Sequence, residues 1–255
     1  MTGDGAAGET LVLKVGGSVV TEKDAPETVD AAALDRAAAA VAGFPGAVVL
    51  VHGGGSFGHH HASAWGVSRT DGSREAGAVR DVHGAMCRLN DAVCEALRGE
   101  GAAPVPVHPL SAARRDPDAD LELPTGQVAT MLAEGFLPVL HGDLVAHAGA
   151  GVTVVSGDEL VVALARGLGA DRVGVCSTVP GVLDDAGAVV PEITDFHDVA
   201  DALGGSDSTD VTGGMAAKVR ALLDLEAPAT VFGPDSLEAY LDGERVGTRV
   251  DGRGR

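Results

Sequence analysis

The sequence predicts an α/β fold in which a largely parallel central sheet is covered by helices on both faces. Three observations carry this. Short apolar β-type runs alternate with Ala-rich helical stretches along the 255 residues, the pattern of strands joined by crossover helices. Glycine-rich turns follow directly on two of those runs, as happens where parallel strands end at a ligand crevice. The length suits one large domain or two intimate lobes, and no internal repeat divides the chain.

Leu11-Val12-Leu13 reads as the first strand. Residues 27–43, Ala-rich from Ala31 to Ala42, read as a helix closed by Gly43. Val48 to Val51 is a second strand. Over residues 74–98, Val79, Val82, Met86, Leu89, Val93 and Leu97 recur at three- and four-residue spacing, which predicts a long amphipathic helix. These side chains suit a core, and Val82, Met86 and Leu89 equally suit one wall of a dry pocket. Residues 105–107 and 137–140 are further strands. The segment 112–122, rich in Arg, Asp and Pro, is expected to be an exposed loop. Leu144–Ala146 and Val152–Val155 flank a Gly149-Ala150-Gly151 turn, which suits a hairpin. A helix then follows Gly157-Asp158, with Ser156 as its N-cap and two acids in its first turn. Strand 172–176, helix 213–224, strand 229–232, a short helix near 235–241 and strand 247–250 complete the chain.

The net charge is −19. Nucleic acid and anionic membrane surfaces both call for basic surface, so neither is an expected partner. The acids are spread along a Val-, Ala- and Leu-rich chain, which suits a folded protein kept soluble by charge, in a salty cytoplasm where screening weakens self-repulsion. Cys87, Cys94 and Cys176 form no close pair, so neither a disulfide framework nor a zinc site is expected. No apolar run reaches transmembrane length. A soluble, cytoplasmic protein is the expectation.

Lysine occurs only three times, beside fifteen arginines. Lys14 opens Lys14-Val15-Gly16-Gly17-Ser18 directly after the first strand; Lys23 lies nine residues on; Lys218 follows Gly213-Gly214. A compact ammonium on a flexible stem suits a mobile phosphoryl group. The second glycine loop is His52-Gly53-Gly54-Gly55-Ser56-Phe57-Gly58-His59-His60-His61. Glycines let a backbone approach phosphate closely and offer its N–H groups as donors. Gly53-x-Gly55-x-x-Gly58 also matches a dinucleotide fingerprint, but no strand ending in an acid follows at the required distance. There is no P-loop motif and no protein-kinase signature. Three adjacent histidines cannot all reach one ion, so no metal site is assigned. His59 is expected to point inward toward an anionic acceptor, with His60 and His61 structural or solvated, and His108, His141 and His147 as packing or surface residues. Asp158 is expected to orient the lysines, and the Gly157 N–H to touch substrate.

In this order, Lys14–Ser18, Lys23, His52–His59, Gly142-Asp143, Ser156–Glu159, Thr212–Lys218 and Gly247-Thr248 resemble the amino-acid-kinase superfamily. The Gly-Gly-Gly-Ser-Phe-Gly-His59 run, with Lys23 nine beyond Lys14, narrows the resemblance to the isopentenyl phosphate kinase family. It implies a three-layer sandwich built as one domain over 1–255, with an acceptor-binding lobe at about 1–157 and a nucleotide-binding lobe at about 158–255. It implies ATP-dependent phosphorylation of isopentenyl phosphate to isopentenyl diphosphate in isoprenoid, mevalonate-type biosynthesis. It also implies Mg2+, a homodimer and, with the acidic balance, a halophilic archaeal source. By resemblance, Lys14, Gly16, Gly17, Ser18, Gly55, Gly214 and Lys218 bind ATP. Gly54, His59 and Gly157 hold the acceptor, and Lys23 stabilises the transition state. The chain departs from the superfamily pattern where Ser177-Thr178-Val179-Pro180-Gly181-Val182 replaces Thr-Asp-Val-Asp-Gly-Val. Both acids are gone, so Thr178 is left as the hydrogen-bonding group toward the nucleotide, and magnesium would be held mainly by ATP phosphates and water. The alternatives are a kinase of the same fold acting on another small phosphate, a phosphonate or a carboxylate, and a non-catalytic nucleotide-binding protein on this fold.

Overall fold

The computed structural model describes residues 8–204 and 214–254. Its first half runs β1 (Thr10–Val15), α1 (Gly17–Val20), α2 (Ala31–Ala42), β2 (Ala47–His52), α3 (Gly55–Ala64), α4 (Ala76–Gly99), β3 (Pro104–Pro106) and α5 (Pro109–Ala112). Two short strands follow, β4 (Arg114–Arg115) and β5 (Leu121–Glu122), then α6 (Gly126–Ala133), β6 (Leu137–His141), β7 (Asp143–His147) and β8 (Gly151–Val155). The second half runs α7 (Gly157–Leu168), β9 (Arg172–Cys176), β10 (Glu192–Ile193), α8 (Ala200–Gly204), α9 (Gly214–Leu223), β11 (Ala229–Phe232), α10 (Leu237–Leu241) and β12 (Thr248–Val250).

Eight strands form one sheet in the order β10-β12-β11-β9-β1-β2-β6-β3. Every pairing in it is parallel except β11 with β12. Strand period decides which side each residue serves. Leu11, Leu13, Val48, Leu50 and Val139 join a core with α2, α4 and α10, whereas Val12, Val49, Val51, Leu140 and Val175 join a second core with α6, α7 and α9. The sheet is thus buried on both faces between two helix layers, the expected three-layer sandwich. The same alternation sends Lys14 to the α7 side, and His52 and His141 to the α4 side.

A second sheet, β5-β4-β7-β8, stands beside the first. Its β7–β8 pair is the expected hairpin, with Gly149 and Gly151 at φ +87° and +90°, a conformation costly to a side chain. Leu144 of this sheet packs with Ala62, Val67, Ala78 and Val82 into a small third core against α3 and α4.

Three expectations need correction. The helix expected from residue 27 begins at Ala31, because the Asp30 side chain caps it by accepting from Ala33 N. Glu27, at φ +50°, donates its N–H to Ser56 O instead. The segment 112–122 is not a simple exposed loop. It supplies β4 and β5, and Arg115 is 2% exposed while donating to Val154 O and Glu159 Oε1. A charge-rich composition reads as solvated, yet a guanidinium can be buried where fixed acceptors meet its fork. The second glycine loop is shorter than its glycine run suggests, since α3 begins at Gly55 and carries all three histidines. The Thr212 and Gly213 part of the third motif lies outside the described residues.

Candidate active site

A cleft of about 130 Å³ opens at the carboxyl ends of β1, β2 and β6. Of the residues expected to carry chemistry, Lys14, Gly17, Ser18, Gly54, His59, Gly157 and Asp158 line it together. Two helices of eight residues or more start there: α3, behind Gly54, and α7, behind Ser156. Their N-termini aim first-turn amide groups and the positive ends of two helix dipoles at one space.

The start of α7 is fixed locally. Ser156 Oγ accepts from Glu159 N, and the Glu159 carboxylate accepts from Ser156 N, which closes a capping box. Glu159 is also gripped by Arg115 at 2.8 Å and Arg69 at 3.0 Å. This holds Asp158, the next residue inward, against Lys14: Nζ donates to Oδ1 at 2.7 Å. Burial raises the Asp158 pKa, but the Lys14 and Lys218 ammoniums more than offset it, and the carboxyl lies below its ordinary value. Lys218, on α9, therefore acts on the same carboxylate as Lys14. Gly157 packs closely on the lysine stem, since a Cβ there would stand 3.1 Å from Lys14 Cε.

The first two glycine loops are locked to each other backbone to backbone. A Cβ on Gly17 would overlap Gly53 and Gly55, and one on Gly53 would overlap Gly17. Gly55 is at φ +48° with Thr21 against it, and Thr21 Oγ1 accepts from Ser56 N at 3.1 Å. Gly16 lies just behind, its N–H donating to Cys176 O at 2.9 Å.

Lys23 is outside the cleft. It is exposed on an adjoining depression lined also by Ser18, Gly55, His59 and His60. Ser18 and His59 therefore border both spaces. The loop carrying Lys23 is tied down through Glu27, whose carboxylate takes His61 Nε2 at 2.6 Å and Arg88 Nη2 at 2.7 Å. Thr178 lines a third groove, which shares Ser18 with the cleft and is otherwise walled by α2 and the segment around Pro234. Gly214, at φ +67°, starts α9.

The far end of the cleft is apolar, formed by Ala62, Val82, Met86, Val154 and Val155. Leu89, weighed with Val82 and Met86, is fully buried core instead. Behind this end lies a histidine group absent from the sequence reading as a unit. His52 Nε2 meets Asn90 Oδ1 at 3.1 Å, His141 Nε2 meets His108 Nδ1 at 2.9 Å, and the His52 and His141 rings stack at 5.5 Å. Burial pushes the His52 pKa down to about 3. His83 and Asp143 complete the group at 2.8 Å. Its members come from β2, α4, the N-cap of α5, β6 and β7, so only the fold brings them together. Among the described residues, no group of three or more His, Cys, Asp or Glu side chains is arranged to hold a metal ion.

Residues 9–227 match the amino acid kinase family. The isopentenyl phosphate kinase of Haloferax volcanii is 65% identical over 244 residues, covering 95% of this chain and 98% of its own. That of Methanothermobacter thermautotrophicus is 32% identical, covering 95% and 99%. An X-ray structure of isopentenyl phosphate kinase superposes with a TM-score of 0.81 at 26% identity over 94% of this chain and 99% of that one. The chain belongs to the amino acid kinase family, and within it to the isopentenyl phosphate kinases.

Proposed function

We infer that this chain transfers the γ-phosphoryl group of ATP to isopentenyl phosphate, forming isopentenyl diphosphate and ADP for isoprenoid synthesis. The observation that carries the reading is the cleft itself: Lys14 and two helix N-termini that suit an anion share it with the apolar side chains Ala62, Val82, Met86 and Val154. An acceptor oxygen bonds to the γ-phosphorus as the bond to the β–γ bridging oxygen breaks. A phosphate monoester has its second pKa near 6, so the acceptor is already ionised at neutral pH and no strong base is required. The barrier is the approach of two anions, which cations and aimed donors lower.

In this reading His59 and the Gly54 and Gly157 backbone hold the acceptor phosphate. Lys14, Gly16, Gly17, Ser18, Gly55, Gly214 and Lys218 hold the ATP phosphates, and Thr178 hydrogen-bonds toward the nucleotide. Asp158 orients Lys14 and Lys218. Lys23 reaches from the rim to the phosphoryl group in flight. The Asp158 carboxylate is already engaged by Lys14, so Mg2+ would enter on the ATP phosphates and keep water as its other ligands; it neutralises phosphate charge when bound. The acceptor lobe, about 1–157, and the nucleotide lobe, about 158–255, meet at the Lys14–Asp158 pair. A homodimer and a cytoplasmic location belong to the same reading through the family resemblance. A salty interior is supported by the net charge of −19.

The test is ATP turnover with magnesium in molar KCl, across isopentenyl phosphate, dimethylallyl phosphate, fosfomycin and simple amino acids. Preferential turnover of isopentenyl phosphate is expected. Turnover of an amino acid, or of none in a folded protein that still binds ATP, would overturn the reading.

A further inference from the structure

The wall of the cleft contains a carboxylate that the reaction does not use. Asp143, at the start of β7, lines the space beside Gly54, Gly142 and Gly157, with its side chain fully buried just behind the surface of that wall. A Cβ on Gly142 would stand 3.7 Å from Gly157 N and 3.8 Å from Gly54 N, so Asp143 follows directly on the point where the amides assigned to the acceptor converge. An unscreened carboxylate there would repel a phosphate.

Asp143 is not alone. His83, one turn before Cys87 on α4, reaches in from the α4 side and its Nδ1 lies 2.8 Å from Asp143 Oδ2. The hydrogen bond to Asp143 raises the His83 pKa, against the opposing effect of burial. Of the other groups facing the pair, burial holds Cys87 and His141 toward their neutral forms. Cys87 Sγ lies 3.4 Å from His83 Nε2, and burial, then Asp143, push its thiol pKa up. His141 Nδ1 lies 3.9 Å from Asp143 Oδ2, and burial pushes its pKa down. His52 behind it is lowered likewise. The His108 ring stands edge-on to His83 at 5.6 Å and shares its Nδ1 contact with His141. Neither α5 nor β8, both next to β7, carries an ionisable side chain. Arg115 on β4 is turned to Glu159, and Lys14 across the cleft to Asp158. The counter-charge for Asp143 therefore falls to His83.

We propose that His83 is a positioning residue for the acceptor: paired with Asp143, it cancels the carboxylate's charge in the cleft wall and holds the Gly142–Asp143 turn so that a phosphate-bearing substrate can be seated there. This rests on the reading that the cleft takes a phosphate acceptor. The Asp143–His83 pair acts on acceptor binding and takes no part in bond making.

The experiment measures KM and kcat for isopentenyl phosphate and for ATP, with thermal melts, in the parent, His83→Gln, Asp143→Asn and the double variant from pH 6 to 9. His83→Gln leaves the carboxylate uncompensated and is expected to raise the acceptor KM by about tenfold or more at pH 6.5, as an added charge at close range in a partly buried site should. The ATP KM should stay within about twofold. Removing both charges should restore the acceptor KM in the double variant, the coupling a double-mutant cycle reads. A protonated His83 is lost as pH rises through its raised pKa, so the parent should lose acceptor affinity on that limb, and His83→Gln should already lack it at low pH. An unchanged acceptor KM in His83→Gln, or a double variant no better than the single, would overturn the proposal and leave the pair purely structural. If His83→Gln does not fold, Asp143→Asn decides: without the carboxylate that raises its pKa, His83 should lose its proton at lower pH, so the alkaline rise in acceptor KM should move down in pH, and a rise unchanged in position overturns the proposal. A parent inactive toward isopentenyl phosphate would overturn the function assigned to the cleft as well; an active parent with an indifferent variant overturns this inference alone.

Discussion

Lys14 and Asp158 are 144 residues apart in the chain and 2.7 Å apart in the fold. The first lies one residue from the end of a strand at the centre of the sheet, and the second lies in the first turn of the helix that covers it. Strand alternation sends Lys14 to that side, the capping box sets where α7 begins, and Gly157 leaves room for the lysine stem. Asp158→Asn keeps the shape and removes the charge. We expect kcat to fall by about 10²–10³-fold, the usual scale for losing one aimed electrostatic group, measured by steady-state kinetics.

The sign of the pH effect follows from the same pair. The folded Asp158 pKa lies below its ordinary value. The pair's stabilisation is thus complete above the unfolded pKa and is lost as pH falls through the depressed folded value. Thermal melts of the parent minus Asp158→Asn should show a constant difference from neutral pH down to about pH 5 and a shrinking one below about pH 4.

Lys23 is exposed and its loop is held by other residues. Lys23→Ala should therefore lower kcat by about 10²-fold or more while leaving the melting temperature unchanged. A parallel loss of stability would show that the residue has a structural role.

Glu27 joins that loop to α3 through His61 and to α4 through Arg88. The hydrogen bond from His61 leads the causes that lower the Glu27 pKa, opposed by burial and aided by Arg88. Glu27→Gln should cost no more than about 1 kcal/mol, as partly exposed ion pairs do, yet reduce kcat by loosening Lys23. Denaturant melts and kinetics separate the two effects.

Arg115→Met should cost about 3 kcal/mol, since it strips a buried partner from Glu159 at the start of α7. Chemical denaturation measures it. Arg69 remains on Glu159, so kcat should fall less than in Asp158→Asn.

Much of this was legible in the sequence where the signal is local. The strand runs, the hairpin glycines and the Ser156 cap each leave a short-range trace, and the glycine loops announce themselves because no packed core would choose them. What stayed hidden is long-range or conditional. Glu27 reads as the first turn of a helix until its left-handed backbone and its contact with Ser56 are known. Arg115 reads as surface because its acceptors, on β8 and α7, are far away in sequence. His83 looks like one polar position on an amphipathic helix, and only β7 packing on α4 gives it Asp143. Val82 and Met86 serve as core and as cleft wall at once, so periodicity could not separate the two uses.

The scarcity of lysine has a practical consequence. Lys14 is bound into an ion pair with its side chain 12% exposed, and Lys218 is partly buried on α9. Lys23 alone among the three is exposed. Apart from the chain's amino terminus, an amine-reactive dye would find its most open target on the rim beside His59 and Ser18. The unmodified sequence thus offers a built-in attachment point for an optical reporter, within reach of the space where substrate would enter.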